Sequence, residues 1–174
     1  MTPTLMCALS FAGKSTFGVL LAEELDGQVI SLDIINTERG LDGRQGIPLQ
    51  EWAASDRIAH ERVEALLRHD RQVVADDTGS PRFIRDHWRA TAKTSGVPFA
   101  IVWVQVTLDF QRKRVAANRS HQERLDVSDA VLAERIASFD LPTSENPFVV
   151  DALNTHSRSR AVDIADSIRH LAIR

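Results

Sequence analysis

The sequence lacks several features that mark whole classes of protein. Its one cysteine, Cys7, cannot form an internal disulfide and lies in an apolar run, where we expect a small buried residue. No segment reaches the run of about 18 apolar residues that a membrane helix needs. Residues 1–4 carry no basic region, and the apolar run behind them is too short for a signal peptide. These absences predict a cytoplasmic protein that does not enter a membrane.

Positive charge is also scarce. The chain has 24 acidic and 21 basic residues, and its formal net charge is −3. A protein that holds a long nucleic acid usually carries a basic face, so this balance argues against such a partner and leaves only a local basic cleft open. The lysines are Lys14, Lys93 and Lys113, which makes Lys14 a rare residue type in this chain.

Residues 8–16, Ala-Leu-Ser-Phe-Ala-Gly-Lys-Ser-Thr, are the most informative stretch. They follow the apolar residues 5–7 and precede a segment with helical spacing. A strand, a turn of small residues and Gly-Lys-Ser at a helix start form the context of a phosphate-binding loop. The predicted nucleotide contacts in this loop are Ala8, Ser10, Ala12, Gly13, Lys14, Ser15 and Thr16.

The residue types explain how such a loop captures an anion. Backbone N–H groups of the turn and of the helix start point at one spot, where the helix dipole also favours negative charge. Gly13 lets the backbone approach a phosphate, Lys14 supplies a mobile cation, and the Ser15 hydroxyl can bind Mg²⁺.

Ala8 replaces the usual first glycine, which matters only if that position requires a positive φ. Phe11, a large side chain at the loop tip, is expected to pack against a lid or a substrate, or to shield the loop.

Strand-like and helix-like segments alternate along the chain. The predicted strands are residues 5–7, 29–32, 72–75, 99–106 and 148–150, and the predicted helices include 50–69, 108–118, 128–139 and 157–173. Ser80 and Pro81 predict the start of one more helix, as N-cap and first helical residue. The glycine-rich residues 34–49 predict a mobile or functional loop. This alternation predicts one α/β domain over residues 1–174, with a parallel sheet between two layers of helices.

In such a sheet, ligands bind at the carboxyl ends of the strands. The segments that follow strands should therefore share one rim: residues 13–15, 33, 76–77, 107–109 and 154–156.

Asp33 can accept the proton of an attacking hydroxyl, the general-base role in kinases; the alternative is a helix N-cap. Asp76 and Asp77 stand where a carboxylate usually completes a magnesium shell; the alternative is a turn or capping pair. Adjacent strand residues point to opposite faces, so we expect one of the two to bind Mg²⁺ with Ser15, and favour Asp77.

Arginines cluster after the fourth predicted strand, and four are notable: Arg112, Arg114, Arg119 and Arg124. They could form a solvated helix face. Phosphoryl transfer, however, spreads negative charge over oxygens that the rigid guanidinium fork neutralises well. Residues 109–127 therefore predict a mobile lid, with Arg119 favoured as a phosphate ligand and Arg114 second.

The six histidines are widely spaced, and none has metal-ligand spacing with cysteine or another histidine. We therefore predict no metal site from them and leave only His156 as a rim contact. Trp52, Trp88 and Trp103 lie on predicted apolar faces, where core packing is expected.

Together these residues resemble the small P-loop kinases. The phosphate loop, the pair Leu32-Asp33, the run Val-Val-Ala-Asp-Asp-Thr-Gly at 73–79 and the arginine-rich segment leading to residues 125–130 carry the resemblance. They are most similar to the predicted ATP-dependent kinases related to the kinase domain of phage polynucleotide kinase, and less similar to zeta toxins and chloramphenicol phosphotransferase. That family commonly has Gly-Leu-Pro-Gly-Ser-Gly-Lys-Ser-Thr in the loop, from which Ala8, Ser10 and Phe11 depart.

The resemblance implies a fold and roles for particular residues. The implied fold is the three-layer P-loop NTPase fold, a five-stranded parallel sheet in the order 2-3-1-4-5 with a helical, arginine-rich lid. Lys14 and Ser15 would hold phosphate and Mg²⁺, Asp33 would activate the acceptor hydroxyl, and Arg119 would contact the donor phosphates.

The resemblance also implies where the acceptor binds. Asp77 and Thr78 match an Asp-Thr pair that contacts the acceptor after the third strand. Arg82 is a further predicted substrate contact, because residues 34–49 and 78–88 are expected to face the substrate.

The predicted function is a Mg²⁺-dependent kinase that moves the γ-phosphate of ATP or another NTP to a hydroxyl. Lys14, Asp33 and Arg119 are its predicted catalytic residues. The acidic balance favours a small-molecule acceptor such as an antibiotic, sugar or nucleoside, with a 5′-hydroxyl polynucleotide as the less favoured acceptor. A third hypothesis is a nucleotide-binding switch or partner module whose altered loop no longer supports catalysis.

Overall fold

The computed structural model describes residues 1–41, 46–121 and 125–171. Its strands are β1 (Thr4–Cys7), β2 (Gly27–Ser31), β3 (Gln72–Asp76), β4 (Ala100–Gln105) and β5 (Phe148–Asp151). Its helices are α1 (Lys14–Glu24), α2 (Leu32–Glu38), α3 (Leu49–Arg68), α4 (Arg82–Thr94), α5 (Leu108–His121), α6 (Asp129–Ala137) and α7 (Arg158–Leu171). Within these ranges, no helix is both long and apolar enough to cross a membrane.

The strands form one parallel sheet in the order β2-β3-β1-β4-β5. The α/β class and the parallel sheet predicted from the alternation are confirmed, and so is the strand order that the resemblance implied. Because β1 is the central strand, the phosphate loop that follows it leaves the middle of the sheet. The register sets Leu5 opposite Ala75 and Met6 opposite Asp76, so the end of β3 lies beside that loop.

Alternate residues of each strand pack against the two helical layers. Met6 and Val102 join the core cluster that contains residues of α1 and α7. Leu5 and Val73 join the cluster formed with α2, α3 and α4. Successive strand side chains point to opposite faces, so continuous apolar runs can cover both sides of a central sheet. Cys7 is fully buried, as expected from its sequence context.

Three local predictions are wrong. Residues 34–49 are not one loop, because α2 begins directly after β2 and buries Ile35 against the sheet. Ser80 does not cap α4, which begins at Arg82; the Ser80–Pro81 peptide is cis, and Ser80 Oγ accepts a hydrogen bond from Asp140 N at 2.9 Å. The helix predicted over residues 108–118 continues as far as His121, and Arg124 lies outside the described residues.

Candidate active site

The phosphate-binding loop joins the central strand to α1. Gly13 is the N-cap of α1, with φ 93° and ψ 17°. A Cβ at this position would stand 2.7 Å from Thr155 Oγ1 and 2.8 Å from Arg114 Nη1, so only glycine fits both the space and the dihedral angles. Lys14 and Ser15 begin the helix, where backbone N–H groups have no partner within the helix. The loop therefore offers donors and the positive end of a helix dipole to a phosphate.

Ala8 does not need the conformational freedom of glycine. In the described ranges, the residues other than glycine with positive φ are Phe11, Asp26, Asp70 and Asn146. Ala8 is buried, and its N–H donates to Thr78 O at 3.1 Å. An alanine at this point therefore fits the turn as well as the usual glycine.

Phe11 packs against the predicted lid. Its side chain is buried in a cluster with Val115 of α5, Val127, and Leu132 of α6. Its backbone has φ 64°, an unfavourable conformation for a bulky residue, and its carbonyl accepts a hydrogen bond from Arg114 Nη1 at 3.2 Å. The sequence left open whether Phe11 packs against a lid, contacts a substrate or shields the loop. In the structure it packs against the predicted lid.

Two further side chains tie the loop to α5 and α6. Gln111 Nε2 donates to Ser10 O at 2.8 Å, and Arg135 Nη1 donates to Ser10 Oγ at 2.9 Å. The loop is thus held by main-chain and side-chain contacts with both helices.

Lys14 forms an ion pair with Asp76 at the end of β3. The side chains are 16% and 6% exposed, so the pair is largely shielded from water. The Ser15 hydroxyl lines the same cleft as Asp76. A hydroxyl and a carboxylate are oxygen donors of the kind that Mg²⁺ prefers, so these residues fit a magnesium ion.

Asp77 lies in different surroundings from Asp76. Its Oδ2 accepts a hydrogen bond from Trp88 Nε1 at 3.0 Å, and its Oδ1 accepts one from Thr78 N at 2.5 Å. Burial raises the pKa of Asp77, although the hydrogen bond from Trp88 opposes the shift. The structure therefore directs Asp76 toward Lys14 and Asp77 toward α4, and the geometry favours Asp76 as the metal ligand.

A cleft of about 410 Å³ lies over the loop. It is lined by most of the predicted site residues: Ala8, Ser10, Ala12, Gly13, Lys14, Ser15, Thr16, Asp33, Asp76, Asp77 and Thr78. Asp33 is half-buried in the first turn of α2, two residues beyond β2, and the N-cap of that helix is Ser31. The structure thus brings the phosphate loop and three carboxylates to one cavity, whereas residues 107–109, which the rim argument also includes, do not line it.

Three of the predicted site residues, Arg82, Arg114 and Arg119, do not line this cleft. Arg119 donates to Asp126 Oδ2 at 2.9 Å and to Asp129 Oδ1 at 2.7 Å, so it braces the connection between α5 and α6. Arg82 is exposed and lies 3.6 Å from the Asp86 carboxylate. Their roles with phosphate and substrate stay predictions, and for Arg119 that role requires both ion pairs to open.

Arg114 lies behind the phosphate loop. Its Nη2 donates to Ala152 O at 3.1 Å, and its guanidinium stands 4.7 Å from the centre of the Phe110 ring. Burial lowers the pKa of Arg114. Thr155, predicted to face the same rim as the loop, is fully buried beside Gly13 instead of lining the cleft.

Sequence reasoning missed several residues of the cleft: Asn36, Trp52, Glu134, Arg135 and Ser138. The sequence does contain a signal for Arg135. It lies four positions after the apolar Val131 and therefore on the same helical face. A charged residue on the buried face of a helix usually has a specific partner, here Ser10. Trp52 is half-buried and borders the cleft as well as the core, which its apolar surroundings in the sequence could not indicate.

A family model described as an AAA domain matches residues 4–142. This range is well over half of the chain. The chain belongs to this family. In this AAA-domain protein the matched range contains the phosphate loop, Asp33 and Asp76, and it ends in the connection before β5.

Solved structures of kinases share this fold. A sugar kinase from Janibacter sp. HTCC2649 aligns over 99% of this chain and 96% of its own, with a TM-score of 0.72 and 17% identity. A gluconokinase from Sinorhizobium meliloti 1021 aligns over 99% and 94%, with a TM-score of 0.69 and 18% identity. The Mycobacterium tuberculosis APS kinase, in complex with AMPPNP and APS, aligns over 99% of both chains, with a TM-score of 0.64 and 18% identity. At these identities the likeness shows the fold alone.

Two other matches cover a smaller part of this chain than these kinases do. A chain of the Pnkp1/Rnl/Hen1 complex aligns over 74% of this chain and 42% of its own, with a TM-score of 0.58, so the predicted likeness to polynucleotide kinases is only distant. A tRNA dimethylallyltransferase from Streptomyces avermitilis is 40% identical in an alignment 80 residues long, and the match covers 34% of this chain and 26% of that protein. This AAA-domain chain therefore spans about a quarter of the length of the curated relatives it matches.

Proposed function

We propose that this protein is a Mg²⁺-dependent phosphotransferase that moves the γ-phosphate of ATP or another NTP to a hydroxyl of a small molecule. One observation carries the proposal: a single cleft contains the phosphate loop, the Lys14–Asp76 pair and Asp33. A phosphate cradle, a metal ligand and a base in one cavity are the parts that phosphoryl transfer to a hydroxyl requires.

Each of these residues has a definite part in the proposed reaction. The loop N–H groups and Lys14 would bind the terminal phosphates of the donor, whose negative charge replaces Asp76 as the partner of the ammonium. Ser15 and Asp76 would hold Mg²⁺, which, when bound, neutralises charge on the phosphate oxygens. Asp33 would accept the proton of the acceptor hydroxyl.

A second cavity of about 300 Å³ supports a small-molecule acceptor. It shares Trp52, Thr78 and Arg135 with the main cleft, so a molecule bound there can reach the phosphate loop. Its other walls are mainly apolar, formed by Leu49, Pro81, Phe83, Ile84 and Phe139. Among the described residues that line it, Arg135 is the only basic one, whereas a polynucleotide needs several cations along its backbone. We therefore infer an acceptor with a hydroxyl group and an apolar part.

The test compares Lys14→Ala and Asp33→Asn with Asp163→Asn, a control on an exposed aspartate of α7. Nucleotide binding is measured by calorimetry, and transfer is measured as ADP release with a panel of sugars, nucleosides, antibiotics and 5′-hydroxyl oligonucleotides. We expect Lys14→Ala to weaken both binding and transfer. Asp33→Asn should keep nucleotide binding and lose transfer by about 100-fold or more, the usual contribution of a general base. Asp163→Asn should match the wild type.

Each outcome decides between the hypotheses. Transfer at the native rate by Asp33→Asn would refute the general base. Nucleotide binding without acceptor-dependent ADP release across the panel would favour the nucleotide-binding module. Faster transfer to oligonucleotides than to any small molecule would favour the polynucleotide kinase.

A further inference from the structure

Two histidines and one aspartate form a cluster outside the active-site cleft, between α3 and α4. Asp56 and His60 are four residues apart on α3 and so lie on one helical face, whereas His87 comes from α4. One potential ligand atom from each residue lies within 4.8 Å of those from the other two. Asp56 is 7% exposed and His60 is 6% exposed, while the His87 side chain reaches solvent.

The surroundings of His60 are compatible with a metal-binding tautomer of its ring. Thr91 Oγ1 lies 2.7 Å from His60 Nδ1 and 3.4 Å from the main-chain oxygen of His87. In the tautomer that carries its proton on Nδ1, His60 donates to Thr91 Oγ1, and the hydroxyl donates to His87 O. In a neutral imidazole the other nitrogen, Nε2, then presents a lone pair. His60 Nε2 is buried and has no hydrogen-bond partner among the described residues. A ring held through Nδ1–H with its second nitrogen available is the state that a metal-binding histidine adopts.

The Asp56 carboxylate directs one oxygen to each histidine. Its Oδ1 lies 3.5 Å from His60 Nε2, and its Oδ2 lies 3.2 Å from His87 Nδ1. In the tautomer with Nε2 unprotonated, a lone pair faces Oδ1, and a cation between the two atoms would make this contact favourable. In a tetrahedral zinc site, bonds of about 2.0–2.2 Å place the ligand atoms about 3.3–3.6 Å apart. The two separations, each to a different oxygen of Asp56, are close to that spacing, and one ligand atom from each of the three residues lies within 4.8 Å of the others.

We propose that Asp56, His60 and His87 bind one divalent ion of the zinc class, with the fourth position open to solvent beside His87. Imidazole nitrogens favour Zn²⁺, whereas Mg²⁺ prefers oxygen ligands throughout. The proposed site is therefore chemically distinct from the one at Ser15 and Asp76.

The ion would fasten α3 to α4 behind the active site. The His60 ring stacks on Trp88 with the ring centres 3.8 Å apart, and Trp88 Nε1 donates to Asp77. An ion that holds His60 therefore also restrains the tryptophan that contacts Asp77. Because the ligands come from two helices, binding should stabilise the folded protein.

The test uses the full chain without a histidine tag, freed of metal by a chelator and kept without nucleotide. Co²⁺ is the spectroscopic probe, and Zn²⁺ is titrated by calorimetry. We expect one equivalent to bind, the visible absorption bands of tetrahedral Co²⁺ to develop, Zn²⁺ to displace them, and Zn²⁺ to raise the melting temperature. His87→Ala, a change at an exposed residue, should weaken binding by at least about 10-fold. His69→Ala, at an exposed histidine just after α3, is the matched control and should bind as the wild type does.

Three results would overturn the proposal. They are the absence of stoichiometric binding, the weak absorption of octahedral Co²⁺, and equal binding by His87→Ala and His69→Ala. Asp56→Asn provides a second, near-isosteric variant, and it should also lose the rise in melting temperature with Zn²⁺. A rise that persists in both Asp56→Asn and His87→Ala would place the ion elsewhere.

Discussion

Asp76 and Asp77 are adjacent in the chain, yet their side chains have different partners. Asp76 forms an ion pair with Lys14, while Asp77 accepts a hydrogen bond from Trp88. The strand pattern predicts that only one of them faces the metal, because neighbouring side chains alternate between faces. Which one pairs with Lys14 depends on tertiary packing, and residue-level patterns could not indicate it.

The buried Asp77 carboxyl predicts a pH dependence of stability. Burial raises its pKa, so the folded protein binds this proton more tightly than the unfolded chain does. The contribution to stability is therefore greatest below the ordinary carboxyl pKa and is lost as pH rises through the raised value. Asp77→Asn removes the titration and keeps the shape of the side chain.

We expect the free energy of unfolding of the wild type, relative to Asp77→Asn, to fall as pH rises through this window. Urea denaturation of both proteins at a series of pH values measures the difference. A difference that is constant with pH would show that burial does not shift this carboxyl.

At the scale of elements, Phe11 connects the phosphate loop to α5, which lies in the predicted lid, and to α6. It packs between α5 and α6, and two side chains of these helices, Gln111 and Arg135, bind Ser10 of the same loop. Because the helices and the loop share this small cluster, movement of the lid would be transmitted to the residues that hold phosphate. The sequence shows that Phe11 is unusual for such a loop, but it does not show which residues Phe11 contacts. Those residues lie more than a hundred positions further along the chain.

Truncation of Phe11 should detach these helices. Phe11→Ala removes a buried aromatic side chain, and we expect a loss of about 3 kcal/mol of stability, the lower end of the usual range for this change. Nucleotide affinity should fall as well, because the loop loses its support. Phe83→Ala is the matched control, since Phe83 is 63% exposed and should change stability by less than about 0.5 kcal/mol. Equal effects of the two variants in urea denaturation would exclude a special role for Phe11.

At the scale of the whole molecule, a buried ion pair joins α4 to the segment before β5. Arg85 is 1% exposed, and its Nε donates to Glu145 Oε1 at 2.8 Å. Its Nη1 also donates to Gly79 O at 2.7 Å and to Asp140 O at 2.9 Å, while Arg89 Nη2 donates to Glu145 Oε2 at 2.5 Å. One guanidinium thus links the turn after β3, helix α4 and the C-terminal part of the fold.

Removal of the charge on Glu145 should destabilise the fold. Burial opposes its ionisation, but the hydrogen bonds from Arg85 and Arg89 lower its pKa below the ordinary value. Glu145→Gln leaves a buried guanidinium without its counter-charge, and we expect a loss of about 3–5 kcal/mol. Because the folded pKa is lowered, the wild type has this stabilisation above the unfolded pKa and loses it as pH falls through the lowered value.

Urea denaturation at neutral and acidic pH checks this expectation. Glu61→Gln, on an exposed glutamate that lies 3.8 Å from Arg57, is the control and should have almost no effect. If Glu145→Gln were as stable as Glu61→Gln at neutral pH, the ion pair would not contribute to the fold.

By itself the sequence determined the phosphate loop and the parallel α/β sheet. Both follow from short-range patterns: small residues before Gly-Lys-Ser, and apolar runs that alternate with helical spacing. The strand order came from the resemblance, because the pairing of strands separated by whole helices leaves no local pattern.

Only the tertiary structure decided the long-range contacts of the site. It joined Asp76 rather than Asp77 to Lys14, and it brought Arg135 to Ser10 across 125 positions of the chain. It also placed His87 beside Asp56 and His60, which no spacing in one helix reveals. The physical reason is common to all three: these contacts depend on how helices pack on the sheet, and the helices that meet are far apart in the sequence.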